Sequence, residues 1–181
     1  MSQSGAPAVT VEQTWSELAL GNQARVAVVA ASWHDEIMAG LIAGAQRVLE
    51  QAGAPWDLIR VPGSFELPVV TQSYLTDGPM TLADRETANP AKPNNRPWYA
   101  AAVALGVIVR GGTPHFDYVA QATSLGLTQV ALTCGKPVGF GLLTTDNLDQ
   151  AIDRAGLPSS SEDKGGEAAA AVLAALAACR R

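Results

Sequence analysis

Only two cysteines occur in this chain, Cys134 and Cys179, far apart and in no CxxC or Cys/His spacing. That argues against a disulfide framework or a zinc site, and leaves two small reduced residues. Histidine is equally scarce: His34 and His115 have no third ligand type near them at metal spacing, so no metal is expected. Charge is sparse, at 16% Asp, Glu, Lys and Arg, with a net charge of −5 and an isoelectric point near 4.9. Without a basic stripe, a general nucleic-acid binder is disfavoured. Residues 1–24 hold no Lys or Arg, so the charged start of a targeting peptide is missing. The longest apolar stretch, Ala168–Cys179, is mostly alanine and too short to span a bilayer. These absences suggest a soluble cytoplasmic protein without a membrane partner.

What is present is core material. Hydrophobic residues make up 48% of 181, enough for one ordinary domain. The run Arg25–Ala31 is continuous, apolar and β-branched, which suits a strand buried on both faces. Ile37, Leu41, Ala45, Val48, Leu49 and Ala52 then recur as a helical stripe, with Gly53 as its stop. Further strands are expected at 57–61, 98–105 and 137–143. Helices are expected at 65–75, 116–134, 147–155 and 163–179, that at 116–134 weakened at Gly126.

Residues 1–23 read as an irregular arm with Val9, Val11, Trp15, Leu18 and Leu20 as anchors, docking on a neighbour. Residues 76–97, rich in Pro and Asn, read as a surface insertion in a domain spanning 24–181. Strands alternating with helices imply a parallel sheet covered on both faces. Ligands of such sheets bind beyond the carboxyl ends of the strands. The loops to inspect are therefore 32–36, 62–66, 106–115 and 144–146.

The third is the densest in chemistry. Gly111 and Gly112 let a ligand approach the backbone, Thr113 can cap the next helix, and Pro114 suits its first position. Free N–H groups at such a helix start are the usual basis of a phosphate site, although an ordinary strand-to-helix turn looks the same. His115 lies in the first helical turn, where the positive dipole end disfavours a charged imidazole; Asp117 opposes that effect. A neutral imidazole there can take and return protons. His34 has no such context and reads as structural. Trp33 is a stacking platform for a planar heterocycle or a packing residue. Glu66, beside Phe65, accepts hydrogen bonds from a ligand or caps a turn. Arg154 fits phosphate oxygens in two-pronged fashion, or is a plain cation at a helix end; Lys164 is a second positive candidate.

Several segments carry these residues: Ala-Ser-Trp33-His-Asp, Val61-Pro-Gly-Ser-Phe-Glu66-Leu-Pro68, Leu105-Gly-Val-Ile-Val-Arg-Gly-Gly-Thr-Pro-His-Phe-Asp-Tyr-Val119, Phe140-Gly-Leu-Leu-Thr-Thr145, Asp149-Gln-Ala-Ile-Asp-Arg-Ala-Gly156 and Glu162-Asp-Lys-Gly165. Together, and in this order, they resemble the 6,7-dimethyl-8-ribityllumazine synthases.

The resemblance implies a flavodoxin-like three-layer α/β/α sandwich with a four-stranded parallel sheet and no cofactor. It implies a condensation of 5-amino-6-(D-ribitylamino)uracil with 3,4-dihydroxy-2-butanone 4-phosphate, the penultimate step of riboflavin synthesis. Carried over residue by residue, Trp33 stacks on the pyrimidine, where many relatives have Phe. Ser64, Phe65 and Glu66, with Val107, Ile108 and Val109, line the ribityl and ring site. Gly112, Thr113 and Arg154 hold the phosphate, Lys164 counts among the substrate-binding residues as a second positive group, and His115 carries protons. Phe140 belongs to an aromatic group supplied across a subunit boundary, so a homopentamer is implied. The longer stretch from Arg154 to Lys164 suggests a free pentamer rather than a shell. Two other readings of the same scaffold are a non-catalytic lumazine or flavin carrier and a flavodoxin-like electron carrier.

Overall fold

The computed structural model describes residues 15–18, 20, 24–76 and 98–179. Val9, Val11 and the insertion expected after Thr76 lie outside these. Four strands, β1 (Ala24–Ala31), β2 (Trp56–Val61), β3 (Trp98–Val109) and β4 (Val138–Thr145), form one parallel sheet in the order β2-β1-β3-β4. The helices are α1 (Asp35–Gln51), α2 (Leu67–Thr76), α3 (His115–Cys134), α4 (Leu148–Ile152) and α5 (Lys164–Ala178). A short 3₁₀ turn, Ser64–Glu66, precedes α2. This is the expected flavodoxin-like sandwich.

Both faces of β1 are buried, which is why its sequence is a continuous apolar run instead of an alternating one. Val26, Val28 and Ala30 join the cluster under α1 and α5. Ala27, Val29 and Ala31 point the opposite way, into the cluster under α2 and α3. Bare glycine surface brings α1 and α5 together: a Cβ on Gly165 would stand 2.0 Å from the Leu41 carbonyl oxygen. α3 runs unbroken through Gly126, where Pro68 of α2 packs so close that a Cβ would stand 2.8 Å from its Cγ. Gly53 closes α1 with φ of 68°, as its position after the apolar stripe suggests. Trp15 and Leu18 are buried in the chain's own core, with Trp15 N–H donating to the Ala52 carbonyl at 2.8 Å, so this part of the arm docks at home.

Two boundaries differ from expectation where they matter most. β3 runs four residues past Leu105, because Gly106–Val109 keep pairing with Leu142–Thr145. Those residues belong to the sheet, and the true loop is Arg110–Pro114. The helix expected at 147–155 ends at Ile152, so Arg154 stands in a turn beyond it. Asn147 caps that short helix by accepting from the Gln150 N–H.

Candidate active site

A cavity of about 840 Å³ opens at the carboxyl ends of β1, β2 and β3, against the first three turns of α3. This volume lies in the range of small-molecule sites. Its walls are mostly apolar with a few polar groups, the pattern expected of a site that orients a planar ligand.

One wall comes from the exit of β1. Trp33 is 68% exposed and His34 follows it in the left-handed region, with φ of 62°. That conformation is strained for a residue with a side chain. It turns the chain directly from β1 into α1, and both side chains line the cavity. His34, read as structural from its sequence context, is thus a pocket residue. The positive φ that puts it there leaves no mark in composition or spacing.

The floor is built at the exit of β2. Ser64 is buried, its carbonyl accepts from Thr123 Oγ1 of α3 at 3.2 Å, and its hydroxyl lies 3.5 Å from the Val107 carbonyl. Two elements therefore fix its place. Glu66 accepts from the Gly63 N–H at 2.9 Å, so its carboxylate caps the 3₁₀ turn and also lines the cavity. Phe65 stays largely exposed at the rim. Val107, Ile108 and Val109 enter as the last rungs of β3, which holds them more rigidly than a loop would.

The remaining wall is the loop after β3 and α3 itself. Gly111, Thr113 and His115 line the cavity, whereas Gly112 does not. Thr113 is not the cap: Pro114 occupies the N-cap position, without a side-chain hydrogen bond. Pro114 has no N–H to offer, so the amides available to an anion lie on either side of it. Asp117 turns away to Arg110, whose Nη1 donates to Oδ1 at 3.2 Å. Phe116, Tyr118, Val119, Gln121, Ala122 and Leu125 complete the wall. The spacing of the last four and Tyr118 marks one face of α3. In sequence that face resembles any half-buried helix and carries no separate signal of a site.

Three site candidates lie elsewhere in the subunit. Phe140, on the edge strand β4, is 51% exposed and outside the cavity. Arg154 donates to the Gln150 carbonyl at 2.9 Å and stands 3.8 Å from Glu162 Oε1. Lys164 lies 2.6 Å from Glu162 and 2.7 Å from Glu167. Partial burial works against the charged form of Lys164, and these two carboxylates more than offset it, holding its pKa above the usual value. The two cations thus share Glu162, at a distance from the pocket of their own chain. Among the described residues, no group of three His, Cys, Asp or Glu is placed to hold a metal, and no helix is long and apolar enough to cross a membrane.

Comparison with known proteins matches residues 23–180 to the family model described as 6,7-dimethyl-8-ribityllumazine synthase. A protein of that name from Leifsonia xyli subsp. xyli is 53% identical over 180 residues, covering 99% of this chain and 98% of its own length. One from Clavibacter michiganensis subsp. michiganensis is 58% identical over 157 residues, 86% of each chain. Another, from Streptomyces coelicolor, is 48% identical over 181 residues, 99% of this chain and 96% of its own. The carrier readings gain no support from these relatives.

Proposed function

The chain belongs to the 6,7-dimethyl-8-ribityllumazine synthase family, and from that premise we propose how its residues divide the work. The protein is a transferase of riboflavin biosynthesis: it condenses 5-amino-6-(D-ribitylamino)uracil with 3,4-dihydroxy-2-butanone 4-phosphate to the lumazine, releasing phosphate and water. The amine adds to the carbonyl and one water leaves to give an imine, phosphate is then eliminated, and ring closure by the second amine onto the remaining carbonyl expels a second water. Protons move at every step, and His115 is the carrier, accepting and returning them at its ring nitrogen. Trp33 stacks on the pyrimidine. Ser64, Phe65 and Glu66, with the end of β3, hold the ribityl chain and ring. Thr113 and the amides around it receive the phosphate. The observation that carries this division is that a single cavity borders Trp33, the Ser64–Glu66 turn, Thr113 and His115 together. Most of the rate comes from holding two substrates in register and from meeting the leaving charge with fixed donors.

Phe140, Arg154 and Lys164 complete the pocket of a neighbouring copy, in a homopentamer. Their placement outside their own cavity supports this, as do Tyr118, Leu125 and Leu132, exposed on α3. Exposed apolar groups of this size on one helix are costly in a monomer and suit an interface. The cytoplasm is the compartment we assign, in keeping with two unpaired cysteines. Crystals soaked with phosphate and a lumazine analogue test the site: the anion must settle within reach of the His115 imidazole, directly or through one water. An anion settled elsewhere ends this reading.

A further inference from the structure

We propose that Arg110 is a positioning residue for the reaction, a strut that fixes loop 110–114 and the start of α3 against the end of β4. It does not line the cavity, and its side chain is 45% exposed. Yet it ties three elements at once. Nε donates to Asp146 Oδ1 at 3.0 Å, Nη1 donates to Asp117 Oδ1 at 3.2 Å, and the guanidinium lies 4.1 Å above the centre of the Phe116 ring. Its own N–H donates to the Thr145 carbonyl at 2.9 Å. Phe116 lines the cavity and adjoins His115 in sequence, so what holds the ring also holds the backbone that presents the imidazole.

The loop has few other restraints among the described residues. Nothing lies within 4 Å of where a Cβ would stand on Gly111 or Gly112, so packing does not hold the glycine pair. The N-cap Pro114 makes no side-chain cap. A planar guanidinium can meet two carboxylates and stack on a ring in one pose, which a lysine ammonium cannot. Exposed ion pairs add little to global stability. The consequence therefore falls on geometry and rate, since small misplacements of reacting groups are costly in turnover.

The inference rests on His115 and its loop being the catalytic wall. The test compares kcat and both Michaelis constants in R110A, R110K, D146N and the double variant R110A/D146N, with H115A as reference. R110A is expected to lower kcat by about tenfold or more while the protein still assembles. R110K should fail to restore it, D146N should show a smaller loss, and the double variant should be no worse than R110A, since both changes remove one strut. Wild-type kcat in R110A overturns the proposal. Multiplying losses in the double variant do so too. A raised Michaelis constant for the phosphorylated substrate in R110A alone, with D146N unaffected, would make Arg110 a ligand instead. Should R110A not fold, wild-type kcat in D146N overturns the proposal. Full turnover in H115A would instead bring down the underlying site assignment, and so separates the two failures.

Discussion

Ser64 and Gly106 meet so closely that a Cβ on Gly106 would stand 2.7 Å from the Ser64 hydroxyl oxygen. The same Cβ would lie 2.8 Å from Leu142 Cδ1 and 3.0 Å from Leu67 Cδ1. The pocket floor thus rests on a hydrogen atom of the sheet. Gly106→Ala is expected to destabilise by about 1–3 kcal/mol through overpacking. It should also weaken uracil binding, because Ser64 is the neighbour that must give way. Urea unfolding and the Michaelis constant for the uracil check both. An unchanged unfolding midpoint would contradict the close contact.

His115→Ala should lower turnover about 100-fold with substrate saturation largely kept, the usual scale for losing a positioned acid–base group. Steady-state kinetics, followed at the absorbance of the lumazine product, measures it. Wild-type turnover would remove His115 from the mechanism.

Arg154→Ala is expected to raise the Michaelis constant for the phosphorylated substrate and leave that for the uracil alone. If Arg154 serves a neighbour's pocket, mixed assemblies of H115A and R154A chains contain sites with both groups intact. Refolding the two variants together should then give more activity, at low phosphate-substrate concentration, than either refolded singly. No gain on mixing would place Arg154 and His115 in sites of one chain.

At the opposite end of the sheet, Asp57 accepts from Arg25 at 2.5 and 2.7 Å and from the Tyr99 hydroxyl at 2.9 Å. The Arg25 hydrogen bond, with help from Tyr99, outweighs partial burial and holds the Asp57 pKa below its usual 3.8. Burial, then the carboxylate, push the Tyr99 hydroxyl up. A depressed folded-state pKa means that the stability Asp57 contributes is full above the unfolded-state value and is lost as pH falls below it, through the lower folded-state value. Asp57→Asn should therefore cost stability at pH 6, and the gap to the wild type should shrink progressively as pH falls below about 4. Thermal unfolding across that range reads it. A constant gap would leave Asp57 without the ion-pair role.

The amino-acid sequence alone determined the element order, the parallel sheet buried on both faces, and the loops where chemistry had to be sought. Period-2 and period-3.6 patterns, glycine pairs and the runs around Trp33, Glu66 and His115 are local features, readable without neighbours. Only the tertiary structure decided that β3 continues to Val109, that Pro114 and not Thr113 takes the N-cap position of α3, and that His34 turns into the pocket. It also decided that Arg154 and Lys164 face Glu162, and that Arg110 bridges two carboxylates and a ring. Strand ends depend on the partner strand, and an ion pair depends on which distant carboxylate folding brings near. Both are properties of pairs far apart in the chain, and no single stretch of sequence contains them.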